Sequence, residues 1–222
     1  MAINWFPLWL SLRVAGMATL VSLALGLWIA YVLANRSFPG KEWLDALVTL
    51  PLVLPPTVLG YYLLVVLGRS SPLGHLYEWM FGVPLVFTWQ AAVVASTFHA
   101  IPLLVKSARA AFESVDRSYE KAARNLGASD WRVFWRVTLP LSRRAVTAAS
   151  VLAFARALGD FGATLMIAGD IPGKTQTASL AIYDAVEGGD TVVARTLVLV
   201  LSVAAMIIVY AANRLQQRQV AG

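Results

Sequence analysis

Residues 14–34 read VAGMATLVSLALGLWIAYVLA, an unbroken run of 21 residues without a charged side chain. A helix of about 20 apolar residues crosses the roughly 30 Å hydrocarbon core of a bilayer, and the apolar part of a signal peptide is shorter. We therefore expect the run after Arg13 to be a transmembrane helix of the mature protein rather than a cleaved signal peptide. Similar runs recur at Leu44–Leu67, Phe87–Val105, Ala145–Ala168 and Val192–Ala212. Because the runs are continuous rather than alternating, they predict an all-α integral membrane protein with about five transmembrane helices, forming one domain over residues 1–222.

The overall composition excludes an ordinary soluble protein. Of the 222 residues, 59% are hydrophobic and 14% are charged, about half the charged fraction of a typical soluble domain. The net charge of +6 does not indicate nucleic-acid binding, because nine of the eighteen basic residues lie between Lys106 and Arg144, flanked by long apolar runs. The chain has no cysteine, and its two histidines, His75 and His99, are far apart in sequence. We therefore expect neither a metal centre nor a catalytic site.

Positive charge is unevenly distributed among the predicted loops. The third loop, residues 106–144, carries nine basic residues, and the first loop carries Arg36 and Lys41. The tail adds Arg214 and Arg218, whereas the second and fourth loops have one basic residue each. Because cytoplasmic loops carry an excess of Lys and Arg, this pattern predicts an extracytoplasmic N-terminus and a cytoplasmic C-terminus.

The fourth loop, residues 169–191, contains a near match to a nucleotide-binding P-loop. Residues 168–175 read AGDIPGKT, with alanine in place of the first glycine of that motif. A P-loop follows a strand, but this segment follows a membrane span on the side away from cytoplasmic ATP, so we do not expect it to bind nucleotide. Pro172–Val186 can hold an additional short or re-entrant helix. Asp184 and Glu187 are candidates for contact with a basic patch on a substrate-delivery protein.

The third loop reads as two short helices with a break between them. The first covers about Ser114–Leu126, and Gly127 stands where a helix end favours left-handed backbone geometry. The second begins at Ser129 or Asp130, and we expect Leu139–Pro140 to end it.

The second of these helices carries an aromatic stripe. Trp131, Phe134 and Trp135 are spaced to share one helix face, with Arg132 and Arg136 beside them. This pattern suits an amphipathic hairpin on anionic lipid. It equally suits a docking element that enters a groove on a cytoplasmic protein.

Residues 120–128, EKAARNLGA, are followed by VTLP at 137–140. This spacing resembles the loop shared by the permease subunits of bacterial ABC importers, which has Glu-Ala-Ala, three residues, Gly, nine residues and Ile-x-Leu-Pro. The positions that match are Ala122, Ala123, Gly127, Leu139 and Pro140. Val137 replaces the isoleucine, and the family's glutamate falls on Lys121, with Glu120 one place earlier.

The resemblance implies a type I ABC importer permease fold in which this loop is a cytoplasmic coupling-helix hairpin, held in a cleft of an ATPase subunit. The candidate residues for coupling to that subunit are Glu120, Lys121, Ala122, Ala123, Gly127, Ala128, Leu139 and Pro140. Small alanine side chains let a helix sink into a groove, and Gly127 permits the bend between the two helices.

Four other stretches resemble the molybdate branch of this family, at residues 37–41, 50–61, 154–164 and 171–177. These features are partly shared with sulfate and tungstate permeases, so a tungstate or sulfate importer is the alternative. The resemblance implies a homodimer in the bacterial inner membrane, two cytoplasmic ABC ATPases that bind ATP and Mg, and an extracytoplasmic oxyanion-binding protein. It assigns no cofactor to this chain. A self-sufficient secondary transporter is disfavoured, because no inverted repeat is visible and Asp160 is the only carboxylate well inside a predicted span, with Asp45 at the very start of the second.

Prolines interrupt the second predicted span. Pro51, Pro55 and Pro56 each lack a backbone N–H, so the helix must bend or break there. Broken backbone at membrane depth is tolerated where it is buried or faces a water-filled path. Thr57 and Tyr61, with these prolines, are therefore candidates for a pathway or gate, and an ordinary kink is the alternative.

The fourth span carries two charged residues four positions apart. Arg156 and Asp160 are expected on one helix face, as a structural salt bridge or as part of the route for an anion. The small residues Gly159, Gly162 and Ala163 predict a close helix contact at a packing or dimer seam.

Overall fold

The computed structural model describes residues 4–218, with side chains described as far as Tyr210. Every regular element in this part of the chain is helical, as predicted. The helices are α1 (Phe6–Asn35), α2 (Lys41–Val53), α3 (Pro56–Leu67), α4 (Pro72–Phe81), α5 (Trp89–Glu113), α6 (Arg117–Asn125), α7 (Asp130–Val133), a π-helical turn (Phe134–Thr138), α8 (Leu139–Leu158), α9 (Gly162–Ala168), α10 (Ala178–Glu187) and α11 (Thr191–Arg218).

Three helices are long and apolar enough to cross a membrane without a break: α1, α5 and the Thr191–Tyr210 part of α11. Two helix pairs meet the same test together, with bends of 115° between α2 and α3 and of 60° between α8 and α9. Each bent pair counts as one interrupted span, so the described part of the chain contains up to five spans. The prediction of about five is confirmed. Arg214 and Arg218 of the predicted tail lie in the part of α11 whose side chains are not described.

Prolines were predicted to interrupt the second span at Pro51 and at Pro55–Pro56. The span breaks at Pro55–Pro56 only. Leu54 has an extended backbone because it precedes Pro55, and Pro56 stands in the first turn of α3, where its missing N–H leaves no bond unmade. Pro51, in contrast, lies inside α2 without ending it.

The prediction of one continuous helix over Ala145–Ala168 for the fourth span is wrong. The helix starts earlier, at Leu139, and breaks after Leu158 before a short second piece begins at Gly162. The backbone turns at Gly159, whose weak helix propensity favours a helix end. The break therefore arises without a proline.

The second and fourth loops each contain a short helix. Helix α4, which is not predicted from the sequence, starts with a Ser71 cap, where the Ser71 Oγ accepts from the Gly74 N–H at 2.9 Å. It ends at Gly82, which has left-handed backbone geometry. In the fourth loop, α10 confirms an additional short helix, whose observed span runs from Ala178 to Glu187. The hydroxyl of Ser11 in α1 accepts from the Ala178 N–H at 2.8 Å and so anchors the start of α10.

Close packing between α3 and α9 depends on small residues. A Cβ added at Gly60 would lie 2.7 Å from the Cβ of Met166 and 2.9 Å from the Cα of Ala163. At Gly162 it would lie 3.1 Å from the Cβ of Pro56. The predicted close contact is thus confirmed for Gly162 and Ala163, and it lies within one chain. Gly159 takes no part, since a Cβ there would meet only a backbone oxygen at 3.7 Å.

Candidate functional site

The hairpin between α5 and α8 has well-defined helix ends. Asp116 caps α6 by accepting from the Ser118 N–H at 2.8 Å, and this hydrogen bond lowers the pKa of the Asp116 carboxyl. At the other end, the Ala128 N–H donates to the Ala123 carbonyl at 3.0 Å, and Gly127 has a φ of 82°. The predicted left-handed bend at Gly127 is confirmed, and its geometry matches a common helix-ending motif.

The carboxylate of Glu120 points into the hairpin. Thr138 donates its hydroxyl to Oε1 of Glu120 at 2.6 Å, and the Arg124 guanidinium lies 3.4 Å from Oε2. Glu120 is 4% exposed, whereas Lys121 and Ala122 are exposed. Glu120 therefore joins the two arms of the hairpin, and Lys121 occupies its surface.

Arg124 extends this polar network towards the first loop. Its Nε lies 3.0 Å from Oδ1 of Asp130, and Asp130 also pairs with Arg36 at the end of α1. Partial burial by itself lowers the pKa of Arg124, but the hydrogen bond to Asp130, together with Tyr31 and Glu120, more than compensates and raises it. The hairpin is thus attached to α1 through ionic contacts.

The second arm of the hairpin consists of α7 and the π-helical turn, residues 130–138. The prediction that the helix of this arm ends at Leu139–Pro140 is wrong. The chain runs from α7 through the π-helical turn directly into α8. The Leu139 N–H donates to the Phe134 carbonyl five residues back, and Pro140 lies in the first turn of α8. The wider turn accommodates a proline that has no N–H of its own.

An aromatic cluster attaches this arm to the bundle. Phe134 is 3% exposed, and its ring centroid lies 4.9 Å from that of Tyr31 in α1 and 6.0 Å from that of Phe112 in α5. The tip of the hairpin, in contrast, is open: Leu126 is 89% exposed. In the single chain this side chain is therefore available for contact with a partner protein.

A second polar cluster lies at the break between α8 and α9. Nδ1 of His99 in α5 is 2.7 Å from Oδ1 of Asp160, and Thr164 donates its hydroxyl to Oδ2 of Asp160 at 2.5 Å. The side chains of His99 and Asp160 are each 1% exposed. Such groups within a membrane bundle are expensive to bury and mark functional or structural polar sites.

Sequence reasoning predicted a different partner for Asp160. Arg156 is in range, but its Nη1 lies 3.9 Å from Oδ1, and its side chain is 30% exposed. His99 was considered only as a metal ligand, and no metal-type cluster exists among the described residues. The signal that was available is a histidine inside an apolar run, since such a residue needs a polar partner.

Two of the candidate gate residues, Pro56 and Thr57, lie beside the break that holds this cluster. A Cβ at Gly162, two residues after Asp160, would lie 3.4 Å from the Thr57 backbone N–H and side-chain methyl group, so the start of α3 packs against the start of α9. Pro55 and Thr57 are exposed in the single chain, and Tyr61 is 54% exposed. The two broken spans therefore come together at their breaks.

The P-loop-like segment folds on itself. The hydroxyl of Thr175 accepts from the Ile171 N–H at 3.1 Å and donates to the Gly169 carbonyl at 3.1 Å. Thr175 is buried, and the preceding residues form helix α9 rather than a strand. This geometry does not expose a row of backbone N–H groups around a phosphate.

The described helices form a bundle with two interrupted spans, and an ordered hairpin joins α5 to α8. The chain belongs to the family of binding-protein-dependent transport system inner membrane components, whose pattern matches residues 22–221. It is therefore a multi-pass inner membrane protein. It is 45% identical over 204 residues to the molybdenum transport system permease protein ModB of Escherichia coli K12, covering 90% of this chain and 89% of that protein.

The sulfate transport system permease protein CysT of Escherichia coli K12 is 35% identical over 206 residues, covering 92% of this chain and 73% of that protein. The crystal structure of a bacterial alginate ABC transporter, in complex with an alginate pentasaccharide-bound periplasmic protein, matches with a TM-score of 0.75 and 18% identity, covering 96% of this chain and 78% of that chain. These similarities define a type I ABC transporter permease fold.

Proposed function

We propose that this chain is the membrane-spanning permease subunit of an ABC importer that carries molybdate into the cytoplasm. It acts as a homodimer, with two cytoplasmic ATPase subunits and an extracytoplasmic oxyanion-binding protein. The N-terminus is outside, and the C-terminus and the hairpin face the cytoplasm. The observation that carries the proposal is the 45% identity to a molybdenum permease over nearly the whole of both chains.

The hairpin is the proposed contact with the ATPase. Lys121, Ala122 and Leu126 lie on its exposed surface, while Leu139 and Pro140 form the start of α8, directly after the hairpin. Glu120 holds the two arms together instead of meeting the partner directly. Closure of the ATPase pair on ATP then moves the hairpin, and the buried Phe134 passes that movement to α1 and α5.

The proposed route for the anion passes the two helix breaks. Thr57 and Tyr61 lie on the exposed side of α3, and Asp160 lies at the neighbouring break, where its carboxyl group contacts His99 and Thr164. A carboxylate held in this way repels a passing dianion less than a bare one does. We expect transient polar contacts at this point and no permanent binding cage, since tight binding slows release.

The chain itself supplies no chemistry in this scheme. ATP and Mg are bound by the partner ATPase, and the external loop beyond α9 receives the binding protein. Sulfate is the second candidate cargo, because a sulfate permease is 35% identical over a similar length. Tungstate is the third, since it shares the size and charge of molybdate.

Reconstitution of the chain with its ATPase and binding protein in liposomes tests the proposal. We expect molybdate-loaded binding protein to stimulate ATP hydrolysis several-fold. Stimulation by sulfate alone would change the cargo, and failure of any ATPase to associate would overturn the function.

Glycine variants test the coupling contact in the same system. Gly127→Val strains a left-handed residue at the hairpin tip and should abolish the stimulation. The matched control is Gly82→Val. Gly82 also has a positive φ and open space around it, but it lies at the end of α4 in the second loop, away from the hairpin. Equal losses from both variants would show that backbone strain, and not contact with the ATPase, is responsible.

A further inference from the structure

Three indole rings form an exposed row where α1 meets the second arm of the hairpin. The ring centroids of Trp28 and Trp131 are 5.7 Å apart, and those of Trp131 and Trp135 are 5.6 Å apart. Their exposed fractions are 44%, 59% and 49%, although each ring covers the buried Phe134. The row is therefore a continuous aromatic surface on the outside of the chain.

The length of α1 sets the depth of this row in the membrane. At about 1.5 Å per residue, the 30-residue helix is about 45 Å long, so a centred span extends about 7 Å beyond the hydrocarbon core at each end. Trp28 lies about two turns, or about 10 Å, before the end of the helix. This places it within a few ångströms of the hydrocarbon boundary, where tryptophan is enriched in membrane proteins.

The opposite end of α1 has a comparable marker. Arg13 lies about two turns after the start of the helix, and its guanidinium carbon is 3.9 Å from the ring centroid of Trp89. Long basic side chains extend towards the headgroups from such positions. Both ends of α1 thus carry interfacial side chains at similar distances from the helix ends.

Unpaired arginines accompany the row. Arg132 and Arg136 are adjacent to Trp131 and Trp135 in sequence, and Arg143 and Arg144 follow about one turn into α8. All four are exposed and make no ion pair with the described residues, whereas Arg36, Arg109 and Arg124 each have a carboxylate partner. Basic side chains near a membrane surface attract anionic lipid.

We propose that the second arm of the hairpin lies on the headgroup layer of the membrane, with Trp131 and Trp135 as interfacial anchors and the unpaired arginines bound to anionic lipid phosphates. The hairpin then has two partners: its tip at Leu126 meets the ATPase, and its second arm meets lipid. The lipid contact does not depend on the identity of the cargo, and it assumes only that the chain spans the membrane.

The lack of cysteine in the chain allows single labels to test this. A fluorophore on Trp135→Cys is compared with one on Leu126→Cys, in the reconstituted complex, with nitroxide groups at the headgroup or shallow acyl positions of the lipid. We expect the label at 135 to be quenched several-fold more than the label at 126, with or without the ATPase. The label at 126 should instead lose its accessibility to aqueous iodide when the ATPase binds.

Absence of lipid quenching at 135 would overturn the proposal. Shielding from iodide at 135 only when the ATPase binds would assign this face to the ATPase. Shielding that follows permease self-association alone would assign it to a second copy of the chain.

Lipid composition supplies an independent test. We expect the coupled ATPase activity to rise several-fold as phosphatidylglycerol replaces phosphatidylcholine, and to lose this dependence when Arg136, Arg143 and Arg144 are replaced by glutamine. The control is Lys174→Gln, an exposed cation in the loop after α9, which should keep the dependence. An unchanged lipid response in the triple variant would contradict the role of the arginines even if the importer works normally.

Discussion

Nδ1 of His99 lies 2.7 Å from Oδ1 of Asp160, joining the middle of α5 to the break between α8 and α9. The two residues are 61 positions apart and almost completely buried. Thr164 binds the other carboxylate oxygen, so Asp160 is held from both sides. The interrupted span is thereby attached to the straight helix that forms the centre of the bundle.

We expect His99→Leu to destabilise the protein. Removing the polar partner of a buried carboxyl group leaves that group under-satisfied, a loss of about 2 kcal/mol. His99→Gln keeps a polar side chain at this position and should lose less. The apparent melting temperature of the purified protein in detergent measures the effect.

His75→Leu is the matched control, because His75 is exposed on α4. The coupling between His99 and Asp160 follows from a double-mutant cycle with Asp160→Asn. Equal melting temperatures for the two leucine variants, or additive effects in the cycle, would exclude a stabilising pair.

Gly60→Ala should separate α3 from α9. A Cβ at Gly60 would lie within 3.0 Å of Met166 and Ala163, so one methyl group overpacks the contact by on the order of 1–3 kcal/mol. Gly16→Ala, with nothing within 4 Å, should be neutral or slightly stabilising because alanine favours a helix. Thermal unfolding and transport rate are the measurements, and a tolerated Gly60→Ala would mean that α9 can move freely from α3.

Glu120→Ala should loosen the hairpin. It removes the acceptor for the buried Thr138 hydroxyl and one carboxylate beside Arg124, so the two arms separate more readily. Chymotrypsin, which cleaves after aromatic residues and leucine, should cut the exposed Tyr119 and Leu126 several-fold faster.

Lys121→Ala tests the other side of the same helix. Its side chain is exposed, so we expect unchanged proteolysis and a change only in coupling to the ATPase. Faster cleavage of the lysine variant than of the glutamate variant would reverse the assignment of inward and outward residues.

Hairpin order should depend on pH through Asp116. Its pKa is lowered in the folded state by the Ser118 N–H, so the stabilisation is complete above the ordinary pKa of aspartate and is lost as the pH falls through the lowered value. Hydrogen exchange of the α6 amides, corrected for intrinsic rates, should therefore accelerate at acid pH. Asp116→Asn keeps an acceptor that does not titrate and should remove this dependence, whereas a response equal to that of the native chain would point to another group.

Span length and proline position were readable from the sequence because both act locally. Apolar runs of about 20 residues have few alternatives to crossing a bilayer. The adjacent Pro55 and Pro56 remove two consecutive backbone N–H groups and break the second span, whereas the single Pro51 does not end α2. The break at Gly159 lacks such a marker, since a single glycine is tolerated in many helices. The short helix α4 was not predicted, although Ser71 followed by Pro72 is a typical helix start.

The side-chain partners were harder to predict, because they depend on how distant helices pack. Arg156 is close to Asp160 in sequence, yet His99 makes the shorter contact from another helix. Glu120 matches the expected position of a coupling carboxylate to within one residue, but the helix rotation that buries it depends on Thr138 across the hairpin. The resemblance located the hairpin correctly and left the inward and outward faces of its helices open.

The π-helical turn has a mechanical consequence. Because it lets the chain pass Pro140 without a break, Asp130–Leu158 forms one rod about 43 Å long at 1.5 Å per residue, and its next bend is the 60° turn before α9. Such a rod acts as a lever whose fulcrum lies in the aromatic cluster around Phe134. Leu158 lies about 36 Å from that point, so a tilt of about 10° would shift the far end by about 6 Å, slightly more than the rise of one helical turn.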